Sequence, residues 1–160
     1  MSEIDKALQI MEQLRDPDSG CPWDIKQTHS SIAKCSIEES YELISSIIKN
    51  DTEGIKEELG DLLLQVIFHS QIANEKGNFN FNDVVKGLNS KLVRRHPHVF
   101  DEKIKKKKIT AAEQELVWDT IKRNEKNTNQ TDIFSDLNDS LPPSKTVSYT
   151  HLTLPTISCV

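Results

Sequence analysis

Between Asp51 and Gly77 the chain reads as one long helix carrying Leu62, Leu63, Leu64, Val66, Ile67, Phe68 and Ile72. Wound at ~100° per residue, these side chains cover almost the whole circumference. A helix of that kind cannot lie on the surface of a lone small domain. It is buried all round, or buried on one side and covered by a second copy on the other. The rest of the chain must therefore supply the elements that wrap it.

Those elements are helical too. Ile4, Ala7, Leu8, Met11 and Leu14 recur at helical spacing and predict a first helix over residues 3–15. Asp16-Pro17-Asp18-Ser19-Gly20-Cys21-Pro22 breaks it. Thr28 can cap a short turn through Ala33, and Ser36 with Glu39 has the capping-box pattern. Helix from about Ser36 to Lys49 follows, either continuous with that turn or begun anew. Asp51 can cap the long apolar helix, which should run to about Glu75 and stop near Gly77. Asn80 or Asn82 opens another helix that ends at His96-Pro97, where the residue before proline disfavours helix. Thr110 and Glu113 form a further capping box and open a last helix to about Lys126. No segment before the tail alternates like a strand, so the expected class is all-α.

With 160 residues there is room for one domain and a tail. The expected divisions are a helical domain over 1–126, a polar linker over 127–146 and a disordered or artefactual tail over 147–160. A net charge of −5 argues against a partner that is a nucleic-acid polymer, though not against a nucleotide. No apolar run is long enough to span a membrane, and no secretory h-region opens the chain. Cys21, Cys35 and Cys159 have no metal-ligand spacing and read as small apolar fillers in a reducing, cytoplasmic setting.

Two acidic motifs interrupt the helical pattern. In Glu38-Glu39-Ser40-Tyr41-Glu42 and Glu57-Glu58-Leu59-Gly60-Asp61, carboxylates recur at i and i+3. Glu39 and Glu42 share one helical face, as do Glu58 and Asp61. Glu58 and Asp61 fall between Phe68 and Leu62, inside an otherwise apolar sector, where charge is costly unless paired or metal-bound. Glu39 and Glu42 lie opposite Ile37, Ile44 and Ile48, where an ordinary solvated face would also put them. Packed antiparallel, the two helices could bring four carboxylates to one cation. All-oxygen ligands without Cys or His favour Mg²⁺ or Mn²⁺ over zinc. Glu38, Glu53 and Glu57 would lie beside that cluster or at the surface.

Other residues carry two readings each. Lys91, Arg94 and Arg95 either clamp phosphate oxygens or complement the dipole at a helix C-terminus. Trp23 and Trp118 either stack on a base or fill core, core being the ordinary role of a lone tryptophan. His69 reads as a satisfied core or interface residue, and His96 and His98 as turn residues around Pro97. Lys105–Lys108 reads as a solvated loop. No Walker A or dinucleotide glycine pattern occurs.

Taken in order, these features resemble the MazG family of nucleoside triphosphate pyrophosphohydrolases. The resemblance rests on Gly20-Cys21-Pro22-Trp23-Asp24, on EESYE followed after fifteen residues by Glu58-Leu59-Gly60-Asp61, and on Arg94-Arg95-His96-Pro97-His98-Val99-Phe100. It extends over roughly residues 3–143. It implies a four-helix-bundle-like core of the all-α NTP pyrophosphatase type with an additional C-terminal helix, assembled as a homodimer. It further implies Mg²⁺-dependent hydrolysis of NTPs or dNTPs to monophosphate and pyrophosphate, a nucleotide-pool housecleaning role. Glu39, Glu42, Glu58 and Asp61 then correspond to metal ligands, Lys91, Arg94 and Arg95 to phosphate contacts, and Trp118 to an aromatic near the base. Cys35 stands where some members carry lysine. Water would attack in line on the α-phosphorus, with Glu38 or Glu39 taking its proton. Many members hold two such domains in tandem, and Leu141-Pro142-Pro143 resembles the start of the linker between them. The alternative is therefore a non-catalytic nucleotide-binding or dimerisation domain of a tandem-domain enzyme.

Overall fold

The computed structural model describes residues 1–102 and 110–127. Every regular element among them is an α-helix: α1 (Glu3–Leu14), α2 (Pro22–Lys26), α3 (His29–Ile48), α4 (Thr52–Glu75), α5 (Phe81–Arg95), α6 (Pro97–Phe100) and α7 (Ala111–Asn127). Contacts divide the chain into two units, Met1–Arg94 and Arg95–Val160. The expected linker beyond Asn127, the tail and the lysine run lie outside the described residues.

In the first unit α4 is the central helix. Its Ile67, Phe68 and Ile72 form a core with Met11 of α1 and Ile32 of α3. Ile4, Ala7, Leu8 and Phe81 pack against that cluster, so α1, α3, α4 and α5 all contribute. In the C-terminal half of α4 the side carrying Ile67, Phe68 and Ile72 is thus covered, α1 and α5 adding to α3, while Leu64 and Val66 stay exposed. Phe68 is 5% exposed. Phe68 therefore belongs to the protomer's own core rather than to a face open to a second copy; it also lies under the guanidinium of Arg15, 5.3 Å from the ring centroid.

α3 differs from expectation at its start. Thr28 accepts from Ser31 N–H and Ser31 reciprocates, a capping box that opens the helix at His29. The competing Ser36 pattern is not used. Ser36 lies inside the helix, and its carbonyl accepts from the Ser40 hydroxyl at 2.6 Å. Two short helices also occupy segments read as breaks. Each starts with proline, Pro22 in α2 and Pro97 in α6, where the missing N–H costs nothing.

The α3–α4 turn holds the two helices antiparallel. Asn50 takes φ +54°, its N–H bonds to Ile47 O, and Asp51 N–H bonds to Ser46 O at 3.0 Å each. This is a Schellman closure with asparagine at the left-handed position. Asp51 then caps α4 by accepting from Gly54 N–H. A Cβ on Gly54 would come within 2.9 Å of Ser46 Oγ and 2.7 Å of Asp51 Oδ2, so glycine here lets the helices approach closely. α4 ends where expected, with Gly77 at φ +68° closing a second Schellman turn through Asn78 N–H to Ala73 O.

Arg15 secures the opposite end of α4. Its Nε and Nη2 donate to both oxygens of Glu75 at 2.7 and 2.6 Å. Its Nη1 donates to the carbonyls of Asp24 and Gln27. One buried cation thus ties α1, the segment around α2 and the end of α4.

In the second unit Trp118 donates from Nε1 to Arg95 O at 2.8 Å and meets His96 edge-on. Arg95 pairs with Glu125 at 2.7 Å. Trp118 is half-buried. Trp23, by contrast, is 60% exposed, which corrects the expectation of a core role: it projects from the short helix α2, none of whose residues is buried.

Candidate metal centre

Because the Schellman turn folds α4 back along α3, residues about equally far from it meet. Glu39, seven residues before Ser46, faces Glu58 and Asp61, four and seven residues beyond Gly54. One carboxylate oxygen from each of Glu39, Glu58 and Asp61 lies within 4.8 Å of the others. All three residues are half-buried. Glu42 is exposed and stands outside this group of three, yet its charge acts on both Glu39 and Glu58. Glu38 is exposed and also acts on Glu39.

The electrostatics follow from that convergence. Burial pushes the Glu39 carboxyl above its ordinary range, and the charges of Asp61, Glu42 and Glu38 add to the effect. Burial likewise raises Glu58, followed by Glu42, Asp61, Glu39 and Glu57. The neighbouring carboxylates therefore disfavour ionisation of Glu39 and Glu58. Among the described residues, no basic partner to Glu39, Glu58 or Asp61 appears in the ion pairs. Hard oxygen donors with surplus negative charge are the donor set of a divalent cation such as Mg²⁺ or Mn²⁺.

The orientation of α3 resolves the ambiguity left by its sequence. Its acidic side turns inward: Ser46 is buried and Glu39 half-buried. Its apolar side turns outward, with Ile37 at 53%, Ile44 at 49% and Ile48 at 74% exposure. Leu59, Leu63 and Leu64 of α4 are exposed as well. Glu39 is thus turned toward α4 while Glu38 and Glu42 remain at the solvated edge of the acidic side, and the Ile37–Ile44–Ile48 face is not the core of this protomer.

Lys91 and Arg94 lie on α5 in the first unit, Lys91 half-buried and Arg94 exposed. Arg95 and Trp118 belong to the second unit, where they interact as described. One pair went unforeseen: His69 finds its partner in His29, which no spacing rule connects to it.

Residues 27–100 match the family model described as the MazG nucleotide pyrophosphohydrolase domain. The chain is 44% identical over 126 residues to the nucleoside triphosphate pyrophosphohydrolase of Escherichia coli (strain K12), an alignment covering 79% of this chain and 47% of that protein. It is 44% identical over 139 residues to the nucleoside triphosphate pyrophosphohydrolase/pyrophosphatase MazG of Thermotoga maritima, covering 87% and 51%. The chain thus spans about half the length of these relatives. The crystal structure of a mazG-related protein from Thermotoga maritima superposes with a TM-score of 0.60 at 26% identity, covering 74% of this chain and 98% of that one.

Proposed function

The chain belongs to the MazG nucleotide pyrophosphohydrolase domain family through residues 27–100, and from that premise we propose that it hydrolyses nucleoside triphosphates to the monophosphate and pyrophosphate, using a divalent cation held between α3 and α4. The observation that carries this reading is the convergence of Glu39, Glu58 and Asp61 within 4.8 Å. Relatives named as nucleoside triphosphate pyrophosphohydrolases support the reaction class. Nucleotide-pool housecleaning is the corresponding role, and the cytoplasm its setting. Among the described residues no helix is long and apolar enough to cross a membrane.

Glu39, Glu58 and Asp61 would hold the cation, with Glu42 completing the negative field. Mg²⁺, or Mn²⁺ in its place, would neutralise phosphate charge and lower the pKa of a nearby water. Glu38 or Glu39 takes the proton as water attacks the α-phosphorus; the bond from that phosphorus to its bridging oxygen breaks, and pyrophosphate leaves. Lys91, Arg94 and Arg95 supply cationic contacts for phosphate oxygens, and Trp118 an aromatic face for the base. These last four roles rest on the family resemblance.

The exposed isoleucines of α3 and leucines of α4 support a homodimer that covers them. The deciding experiment is pyrophosphate release from a panel of NTPs and dNTPs, with Mg²⁺, with Mn²⁺ and with chelator. Metal-dependent release establishes the activity and its base preference. No release from any nucleotide with either metal overturns the enzyme reading in favour of a non-catalytic nucleotide-binding or dimerisation domain.

A further inference from the structure

His29 opens α3 and His69 stands on α4, forty positions apart, with their Nδ1 atoms 2.8 Å from one another. The ring planes are nearly parallel, 8° apart, with centroids 5.1 Å from one another. Both residues are half-buried. Two imidazole nitrogens at this separation can share one proton, one ring donating its N–H to the lone pair of the other. A first added proton, taken at an outward Nε2, leaves that bond intact. A second would set two N–H groups and two positive charges face to face. We propose that the His29–His69 pair is an acid-released clasp across the open end of the α3–α4 hairpin, closed while the two Nδ1 atoms share one proton and sprung when both rings are charged.

Position and surroundings support this role. The other end of the hairpin is held by the Schellman turn and the close approach at Gly54. The acidic cluster lies between the turn and the clasp, so losing the clasp loosens the start of α3, which Ile32 still anchors in the core, while the hairpin stays joined. Charged groups on the neighbouring elements do not supply a counter-ion. Arg15 beside Phe68 is engaged by Glu75 and by the Asp24 and Gln27 carbonyls. Among the described residues, neither Glu12 of α1, Asp24 and Lys26 of α2, nor Glu39, Glu58 and Asp61 along the seam exerts a charge effect on His69. Burial holds His69 below the ordinary imidazole range, and among the described residues the charge acting on it is that of His29, which lowers it further. The folded state therefore binds fewer protons than the unfolded one as pH falls through about 6.5, and stability drops with acidification.

The test is equilibrium urea unfolding of the full chain at pH 8 and pH 5.5, for wild type, His29→Gln, His69→Gln and the double variant. Glutamine can hydrogen-bond a remaining imidazole but never acquires a charge. The acidic cluster, which gains stability on acidification, is common to all four proteins and cancels between them; against that shared background the wild-type midpoint should fall on acidification. Either single substitution should remove at least half of that fall, and the double variant should remove no more than the larger single. Singles that retain the whole fall would overturn the proposal. NMR titration of the wild-type imidazoles provides a readout independent of variant folding. His69 is expected to titrate below the ordinary imidazole range, whereas titration of His69 at the ordinary value would equally refute the clasp.

Discussion

Glu58→Gln and Asp61→Asn preserve side-chain shape and remove one negative charge from a group already crowded with it. With Mg²⁺ present, pyrophosphate release should fall on the order of 10²-fold or more, because the cation loses a ligand and the water its activation. Without metal, thermal unfolding should show both variants at least as stable as wild type, since repulsion within the cluster is relieved. Full activity in both would mean the site is misassigned. The pH dependence of the metal-free protein has a defined sign. Glu39 and Glu58 titrate above 4.5 when folded, so the folded state holds protons the unfolded state has lost. Their contribution is complete below pH 4.5 and disappears as pH rises through the folded values. Added Mg²⁺ should oppose that loss near neutrality by binding only the folded, ionised cluster. A melting temperature that does not respond to Mg²⁺ at pH 7.5 would contradict this.

The α3–α4 hairpin depends on a few positions with little tolerance. Gly54→Ala would drive a methyl into Ser46 Oγ and Asp51 Oδ2, both short side chains, and the latter's carboxylate is committed to the N-cap. Overpacking of this kind costs about 1–3 kcal/mol, to be read as a lower urea midpoint at unchanged slope. Thr28→Ala removes the cap that starts α3 eight residues before Ser36. It should cost about 1 kcal/mol and fray the turn bearing His29, seen as faster amide exchange over residues 29–33. Both changes lie away from the carboxylates, so loss of activity without loss of stability is not expected from either.

At the scale of the whole molecule the outstanding fact is the exposure of Ile37, Ile44 and Ile48 on α3 and of Leu59 and Leu63 on α4. Side chains of this size left in water would be a liability for a lone protomer. Sedimentation should therefore report a dimer at micromolar concentration. Ile44→Glu should shift it towards monomer while leaving a helical far-UV spectrum, because this residue lies outside the Met11–Ile32–Phe68 core. A well-folded wild-type monomer at that concentration would refute the assembly.

What the sequence determined by itself is local and periodic. The all-helical class, the Asp51 and Gly77 ends of α4, and the Glu58–Asp61 pair inside an apolar sector follow from backbone chemistry and a 3.6-residue repeat, which act between near neighbours. What the tertiary structure decided depends on residues far apart in the chain. Thr28 prevailed over Ser36 as the start of α3 because only the longer helix brings Ile32 onto Phe68. A helical wheel of α3 shows an acidic side and an apolar side, but not which one faces α4. The wheel alone would have put Ile44 inward and Glu39 in water. The inward turn of Glu39 and the meeting of His29 with His69 exist only because a three-residue turn reverses the chain and fixes the register between two helices. Register is set by the sum of many contacts along the seam, and no single residue's spacing encodes it.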